Sequence, residues 1–423
     1  MQGEFLMSQG NYALAILEFQ EAIAIDPNAS TIHVAIADGY IKVGKLKRSE
    51  THLKIAIELD PDETEGLDML GQIYFSQKRH SDAQQIYKRL HTTDPDNLDY
   101  IFILADLHRI QKNWDSSIDY YMLAYNVNTL AIKGLEQALQ IALSTNKLKR
   151  AEEICELMHN DTPDNLDILN TYKDLTLYNK NYRKSLDLLE KIEKQTGVTN
   201  ELLLQKSALY EELNQKELAL EVALVAHEND SLNIDILHRI VSVLMDQDQN
   251  EEAIKYNYKI TKNHPNDPRG FINNAVMAMS SKKPDQAIQA LQPHVSKFFS
   301  DFTIQYLLGT AYYQTKDFDN AERHLAQALE IYPQSRNTKH NLALIYDSMG
   351  EWNLSDQLYI ELIESDSTDA QAFNNYAYSL VERDKDIDFA LELAQYAISL
   401  EPKSAAYLDT IGWIYFKLNY NQF

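Results

Sequence analysis

Residues 64–97, TEGLDMLGQIYFSQKRHSDAQQIYKRLHTTDPDN, form one unit of a pattern that repeats along the chain. Within this unit Leu70, Gly71, Tyr74, Ala83 and Pro95 occupy marker positions. The position of Ala83 recurs every 34 residues without a slip, as Ala15, Ser49, Ala83, Ser117, Ala151, Ser185, Ala219, Ala253, Ala287, Ala321 and Ser355. A strict repeat of this length is typical of a stacked helical array, whose function lies in its surface.

The residue types within each unit fit a pair of antiparallel helices. Small residues at positions 8, 20 and 27 of the unit let its two helices approach closely, and large residues at positions 4, 7, 11 and 24 fill the space between neighbouring units. Glycine or a polar residue near position 15 predicts the turn between the helices. Proline at position 32 ends the second helix because it has no N–H to donate, and the following Asn or Asp predicts a new cap.

These markers resemble the tetratricopeptide repeat (TPR) family. When Ala15 is taken as position 20, positions 15, 17, 24, 27 and 32 are held by Gly10, Tyr12, Phe19, Ala22 and Pro27. The resemblance implies an all-α fold, a right-handed α-solenoid or superhelix of about 12 stacked helix-turn-helix units. We expect ten in-register units over residues 1–333, the first truncated at its N terminus, an eleventh over 334–369, a twelfth with a one-residue insertion over 370–402, and a truncated thirteenth over 403–423.

The charge of the chain bears on its partners. The sequence has 63 acidic and 39 basic residues and a formal net charge of -24. Such a surface repels phosphate backbones, so we expect no nucleic-acid partner. No stretch approaches the roughly 18 apolar residues of a membrane-spanning helix, so we expect no direct membrane insertion. The single cysteine, Cys155, falls at position 24, and we interpret it as a small buried hydrophobic residue.

Two stretches depart from the regular pattern. Pro293 falls inside an expected second helix, where an interior proline costs roughly 3 kcal/mol or kinks the helix. This predicts either a bend near residues 284–301 or a shortened helix. One extra residue within 384–386 shifts the later markers by one. The block from Phe373 to Trp413 resembles the C-terminal repeats of large bacterial TPR proteins, many of them envelope-associated, which implies a bacterial origin.

The ends of the sequence fall inside repeat units. Met1 lies halfway along a first helix and Phe423 lies near the start of a second helix, which predicts a fragment of a longer protein. An upstream signal would place the protein in the bacterial periplasm or envelope, and without one we expect the cytoplasm. The sequence leaves both the compartment and the oligomeric state open.

In TPR arrays the first helix of each unit lines a concave groove, which predicts where a partner binds. In the N-terminal units the groove positions are mostly acidic and include Asp38, Glu65, Asp68, Asp99, Asp106, Glu136 and Asp174, against few cations such as Arg109 and Lys133. An aligned row of carboxylates focuses negative potential, which predicts a basic segment as the guest. The alternative is that these acids are only the solvated surface of an acidic protein.

In the C-terminal units the groove positions change to amides and tyrosines. They are Asn273, Asn341, Asn374, Asn375, Tyr306, Tyr313 and Tyr378. An amide donates and accepts at once, so it can hold the backbone of an extended peptide with little regard to sequence. Asn273, Asn341 and Asn375 share position 6 of their units. They are similar to the asparagine ladder in O-linked N-acetylglucosamine transferases, although Leu307 interrupts the series. The alternative is that asparagine is simply frequent here.

One known TPR binding mode is disfavoured. Chaperone-binding TPR proteins grip a C-terminal carboxylate with a clamp that needs a lysine at position 5. No unit here has a lysine at that position. We therefore expect no docking onto the tails of heat-shock chaperones.

No motif predicts catalysis. The sequence contains no Gly-rich phosphate loop, no nucleophile elbow and no paired histidines at zinc-site spacing. We expect no enzyme activity, cofactor or metal, and interpret the chain as a protein-interaction scaffold that holds an extended peptide or a helix of a protein partner in its concave groove. Two alternatives stay open: the regulatory or substrate-recruiting arm of an enzyme whose catalytic domain lies outside these residues, and a structural component of a bacterial envelope assembly.

Overall fold

A computed structural model of the chain describes residues 2–420. Over that range every regular element is a helix, and no strand is present. The contacts divide the chain into two compact units, an N-terminal unit up to Val198 and a C-terminal unit from Thr199. Within each, consecutive helices pack as antiparallel pairs and each pair packs on the next. The predicted all-α fold of stacked helix pairs is therefore confirmed.

The N-terminal unit contains twelve helices among the described residues. In each pair the odd-numbered helix is called the first helix and the even-numbered helix the second. They are α1 Gln2–Ser8, α2 Tyr12–Ile25, α3 Ser30–Lys42, α4 Leu46–Leu59, α5 Thr64–Ser76, α6 His80–Thr93, α7 Leu98–Ile110, α8 Trp114–Val127, α9 Ile132–Ser144, α10 Leu148–Asp161, α11 Leu166–Tyr178 and α12 Tyr182–Thr196.

The C-terminal unit continues the same alternation up to residue 420. Its helices are α13 Asn200–Glu212, α14 Lys216–Asn229, α15 Ile234–Asp246, α16 Asn250–Asn263, α17 Arg269–Ser280, α18 Pro284–Leu291, α19 Phe302–Gln314, α20 Phe318–Ile331, α21 Arg336–Met349, α22 Trp352–Ser365, α23 Ala370–Glu382, α24 Ile387–Leu400 and α25 Ala405–Tyr420. Met1 and residues 421–423, including the predicted end of the last unit at Phe423, lie outside the described residues.

The turn between the two helices of a pair is made by the residue at position 15, whose backbone has the left-handed conformation. At this position φ is positive whether the residue is glycine, as in Gly44 (73°), lysine, as in Lys112 (61°), or asparagine, as in Asn146 (56°). After Lys112, the N–H of Asn113 donates to the carbonyl of His108 at 2.9 Å, which closes the end of the first helix. The predicted turn position is therefore confirmed.

Small residues allow the helices of a pair to touch. The residues at position 20, from Ala15 to Ser355, are fully buried, at 0% exposure. A Cβ atom added to Gly71 would lie 2.8 Å from the ring of Tyr87, and one added to Gly309 would lie 2.5 Å from Leu325. The close approach expected at position 8 is therefore present.

The proline at position 293 shortens its helix. The helix α18 ends at Leu291, and a 3-10 turn over Gln292–His294 follows it. Pro293 thus lies in the 3-10 turn, where it removes no α-helical hydrogen bond. The shortened α18 still packs on α17 and α19. Of the two expectations, the shortened helix is observed, and the bend stays a prediction.

The remaining local predictions concern burial. Cys155 is fully buried, as expected, and burial together with Glu152 raises the pKa of its thiol to about 12. This thiol therefore stays protonated at neutral pH. Between residues 2 and 420, none of the helices has the length and apolar character that crossing a bilayer requires.

Candidate functional site

Three adjoining cavities lie along the first helices of the N-terminal unit. The first, of about 320 Å³, is lined by side chains of α1, α2, α3 and α5, including Glu65. The second, of about 390 Å³, lies between α5 and α7 and includes Asp68 and Asp99. The third, of about 440 Å³, is lined by α7, α8 and α9 and shares Phe102 and Asp106 with the second. We call this surface the acidic face.

Two carboxylates of the acidic face are open to a guest. Glu65 and Asp99 are both exposed. Within the part of the chain that the structure describes, neither carboxylate has an ion-pair or hydrogen-bond partner. A cationic side chain could reach either one without displacing an existing contact.

Two other carboxylates of this face are held by buried tyrosines. The hydroxyl of Tyr87 donates to Oδ1 of Asp68 at 3.1 Å, and that of Tyr121 donates to Oδ1 of Asp106 at 2.8 Å. Burial, reinforced by Asp106, raises the pKa of Tyr121 to about 12, and burial with Asp68 raises that of Tyr87 further. Both phenols therefore donate throughout the physiological pH range, and each fixes its carboxylate in one orientation.

The other predicted acids of this unit differ in their placement. Asp38 lines the first cavity and lies 3.9 Å from the ammonium of Lys42. Glu136 and Asp174 are exposed but line none of the three cavities, and Asp174 pairs with Lys173 at 3.1 Å. The structure thus brings Asp38, Asp68 and Asp106 to the cavities and leaves the other two on the open surface.

The acidic face ends at two cations in the third cavity. Arg109 pairs with Asp106 at 2.7 Å, so its charge is already balanced. Lys133 is exposed and also lines this cavity. Among residues 2–420 its ammonium has no carboxylate partner. Lys133 therefore interrupts the negative charge of the face at α9.

In the C-terminal unit, Asn273 is buried rather than open, with 5% exposure. Its Nδ2 donates to Oδ1 of Asn257 at 2.9 Å and lies 3.3 Å from Nδ1 of His238. Burial, and after it the charge of Arg269, lowers the pKa of His238 and so favours the neutral imidazole. The amide N–H groups that a peptide ladder would use are therefore already engaged.

The structure places Asn341 beside Tyr306. The Nδ2 atom of Asn341 donates to the hydroxyl of Tyr306 at 3.3 Å and lies 3.5 Å from Oγ1 of Thr310. These bonds are long, and Asn341 and Tyr306 are both half-buried. Neither side chain of this pair is closed off from solvent.

The adjacent amides at 374 and 375 form a second pair. The Nδ2 atom of Asn374 donates to Oδ1 of Asn375 at 3.4 Å. Asn374 has 6% exposure, and its Oδ1 is buried without a hydrogen-bond partner in the described structure. Of the predicted tyrosines, Tyr313 packs on Phe318, with ring centroids 6.1 Å apart, and Tyr378 is 47% exposed.

Asn257 was not among the residues predicted from the sequence, and it is buried, with 1% exposure. It lies at position 24, where other units have a large apolar residue such as Leu53 or Tyr87. Its Nδ2 donates to the carbonyl of Gly270 and to Oδ1 of Asn274, both at 2.7 Å. The sequence signal that could have identified Asn257 is a polar residue at a position where other units have an apolar one.

Comparison with known proteins gives local matches. Models of the tetratricopeptide repeat match residues 6–73, 65–97 and 302–335. The type IV pilus assembly protein PilF of Pseudomonas aeruginosa is 36% identical over 76 residues, which is 18% of this chain and 30% of that protein. The Hsp70-Hsp90 organizing protein 3 of Arabidopsis thaliana is 29% identical over 100 residues, 24% of this chain and 18% of that protein.

Among solved structures, the APC/C hetero-tetramer Cut9-Hcn1 is similar over 97% of this chain and 95% of the matched chain, with 12% identity and a TM-score of 0.46. The matched part spans less than a third of either sequence relative. The repeat models match both compact units, and successive helices pair in both. The chain therefore contains tetratricopeptide repeats, which the family models match at residues 6–97 and 302–335.

Proposed function

We propose that the chain is a non-catalytic protein-interaction scaffold and that its acidic face binds an extended basic segment of a partner protein. Repeat arrays of this kind offer extended surfaces along which a partner lies. The two sequence relatives bear names that refer to assembly and organization, and the same general role is proposed here. The partner's chemistry is argued from the acidic face alone.

The observation that carries the proposal is the alignment of carboxylates with adjoining cavities. Glu65, Asp68, Asp99 and Asp106 line the cavities between α3 and α9. Carboxylates in a recess focus the negative potential more than the same charges on a convex surface. A lysine or arginine side chain fits such a recess because its apolar stem contacts the walls while its charge meets a carboxylate.

Aromatic side chains that line the cavities add a second element of recognition. Phe102 lines both the second and the third cavity, and its ring centroid lies 6.1 Å from that of Tyr121. The face of an aromatic ring attracts a cation, and an aromatic edge stabilises a large apolar side chain. A basic segment with one large apolar or aromatic residue therefore matches this face best.

Binding of a model peptide tests the proposal. The probe is a fluorescein-labelled peptide that alternates lysine and alanine around one phenylalanine, and its affinity is measured by fluorescence anisotropy. The double variant Glu65→Gln/Asp99→Asn removes the two unpaired carboxylates and should weaken binding about fivefold at low salt. Because surface charges are screened, the difference should disappear at about 0.5 M salt.

A matched control separates local recognition from net charge. Glu58→Gln/Asp187→Asn makes the same charge change at two exposed acids on the second helices α4 and α12. It should leave the affinity unchanged within about twofold. If both double variants weaken binding equally, the attraction is only that of an acidic protein, and the proposed binding face is wrong.

A further inference from the structure

A separate apolar pocket lies on the second-helix side of the C-terminal unit. Its volume is about 390 Å³, and α20, α21 and α22 line it. Four of the residues that line it are leucines, namely Leu329, Leu342, Leu354 and Leu358. Leu354 is 42% exposed, although most leucines of the chain's core are buried. We call this site the leucine pocket.

The equivalent seam between the second helices α10 and α12 is closed by polar bridges. Nζ of Lys184 donates to Oε1 of Glu156 at 3.1 Å, and Nζ of Lys191 lies 2.7 Å from Nε2 of His159. The seam between α14 and α16 has a similar bridge, with Lys259 lying 3.0 Å from His227. Long lysine side chains thus cover the gap between neighbouring second helices.

At the leucine pocket, the residues at the corresponding repeat positions do not form these bridges. Five repeat lengths of 34 residues after Glu156 and Lys184, the chain has Ala326 and Leu354. The histidine and lysine of the other bridge are replaced by Leu329 and Glu361. Glu361 is instead held by Lys339 at 3.0 Å, on the α21 side. The seam is therefore left open and lined with apolar atoms.

We propose that the leucine pocket binds an amphipathic segment of a partner protein, in which large aliphatic side chains are flanked by lysine or arginine. The aliphatic side chains would fill the space that a lysine stem covers in the α10–α12 seam. This site belongs to the C-terminal unit, where the second helices α20 and α22 and the first helix α21 line it, and it shares no residue with the acidic face.

The charges around the pocket determine the chemistry of the occupant. Glu330 lines it, is exposed, and makes no ion pair or hydrogen bond within residues 2–420. Glu361, on the facing helix, lines it too. The unpaired carboxylate of Glu330 favours a cationic neighbour, whereas that of Glu361 is already paired with Lys339. A second copy of this chain is disfavoured as the occupant, because each copy has a formal net charge of -24.

The test introduces into the leucine pocket, between α20 and α22, the kind of polar bridge that closes the α10–α12 seam. The double variant Ala326→Glu/Leu354→Lys introduces the Glu–Lys pair at the same register and leaves the net charge unchanged. The probe is a fluorescein-labelled helical peptide with leucines along one face and lysines beside them. We expect the wild-type chain to bind it and the variant to bind it at least about tenfold more weakly. Circular dichroism verifies that the variant is folded.

Further variants separate the contributions of apolar contact, of the acidic face and of the probe's charge. Leu354→Ala removes an exposed side chain without introducing charge, and it should also weaken binding several-fold. The comparison is repeated in the Glu65→Gln/Asp99→Asn background, in which the lysine probe binds less to the acidic face, and the difference caused by Ala326→Glu/Leu354→Lys should persist there. Replacing every lysine of the probe with glutamate should abolish binding.

Three results would overturn the inference. One is equal affinity of the wild-type chain and Ala326→Glu/Leu354→Lys for the lysine probe. Another is equal affinity of the wild-type chain for the lysine and glutamate probes. The third is a concentration-dependent dimer of the wild-type chain that Ala326→Glu/Leu354→Lys abolishes, since the pocket would then bind a second copy.

Discussion

Asn273 donates a hydrogen bond of 2.9 Å to Asn257, and the two side chains are 5% and 1% exposed. Asn257 belongs to the second helix α16, and Asn273 belongs to the following first helix α17. The bond therefore joins consecutive helix pairs. A buried amide network of this kind stabilises the array only while each of its members keeps a partner.

Replacing Asn273 should therefore cost stability more than it affects binding. Asn273→Ala leaves Oδ1 of Asn257 buried without its donor, so we expect the free energy of unfolding to fall by about 2 kcal/mol. Asn341→Ala, at a half-buried residue with longer hydrogen bonds, should cost less than about 1 kcal/mol. Urea denaturation measures both. Equal losses would mean that Asn273 has no special structural role.

Lysine is a strained choice for the turn at position 15. Lys112 has a φ of 61°, which lies in the left-handed region. This backbone conformation is unfavourable for residues other than glycine, asparagine and aspartate. Lys112→Gly should raise the free energy of unfolding by about 1 kcal/mol. Asn146→Gly, at a φ of 56°, should change it by only a few tenths of a kcal/mol, because asparagine tolerates this conformation. A gain at Asn146 as large as at Lys112 would refute this explanation.

The buried and half-buried histidines predict a loss of stability in mild acid. Burial lowers the pKa of several of them, namely His52, His108, His159, His227, His238, His294 and His324. The unfolded chain then takes up protons at a higher pH than the folded chain does. Stability is thus complete above the ordinary histidine pKa of about 6.5 and falls as the pH drops below it.

Thermal unfolding at about pH 7.5 and about pH 5.5 measures this effect. We expect the midpoint temperature to be lower at the acidic pH, and His238→Gln should reduce the difference. An unfolding midpoint that is constant or rises on acidification would contradict the lowered pKa values.

Lys133 should oppose binding of a basic segment at the acidic face. Lys133→Glu removes the unpaired cation of the third cavity and adds a carboxylate, so the lysine–alanine probe should bind about fivefold more tightly at low salt. Lys47→Glu makes the same charge change at an exposed residue of the second helix α4 and is the control. Equal tightening by both variants would show that net charge, rather than the position of Lys133, determines the affinity.

The sequence pattern predicts backbone geometry better than it predicts polar partners. Position 15 is recognisable because the spacing of 34 residues is strict, and its conformation is the same for Gly44, Lys112 and Asn146. The helix pairs follow from the same spacing. Where a helix is shortened, as at Pro293, the proline is itself the visible cause.

The partner of a side chain depends on a neighbouring helix and is harder to predict. Asn273 and Asn341 share position 6, yet one is buried against Asn257 and the other contacts Tyr306. The difference lies at position 24 of the preceding unit, where Asn257 replaces an apolar residue. Likewise, Asp99 and Glu136 are both exposed acids of first helices, but only Asp99 lines a cavity. The sequence pattern of a single unit therefore does not predict which partner a side chain has or whether it lines a cavity.

The central claim, that the acidic face binds a basic segment, is tested most directly by locating the bound peptide. A lysine–alanine probe that has a photoreactive diazirine in place of its phenylalanine is cross-linked to the chain, and the adducts are mapped by mass spectrometry. We predict adducts on α5, α7 and α9, at Phe102 and its neighbours, and their loss at about 0.5 M salt. Adducts confined to the second helices α4, α6 and α10, or to the C-terminal unit, would contradict the claim.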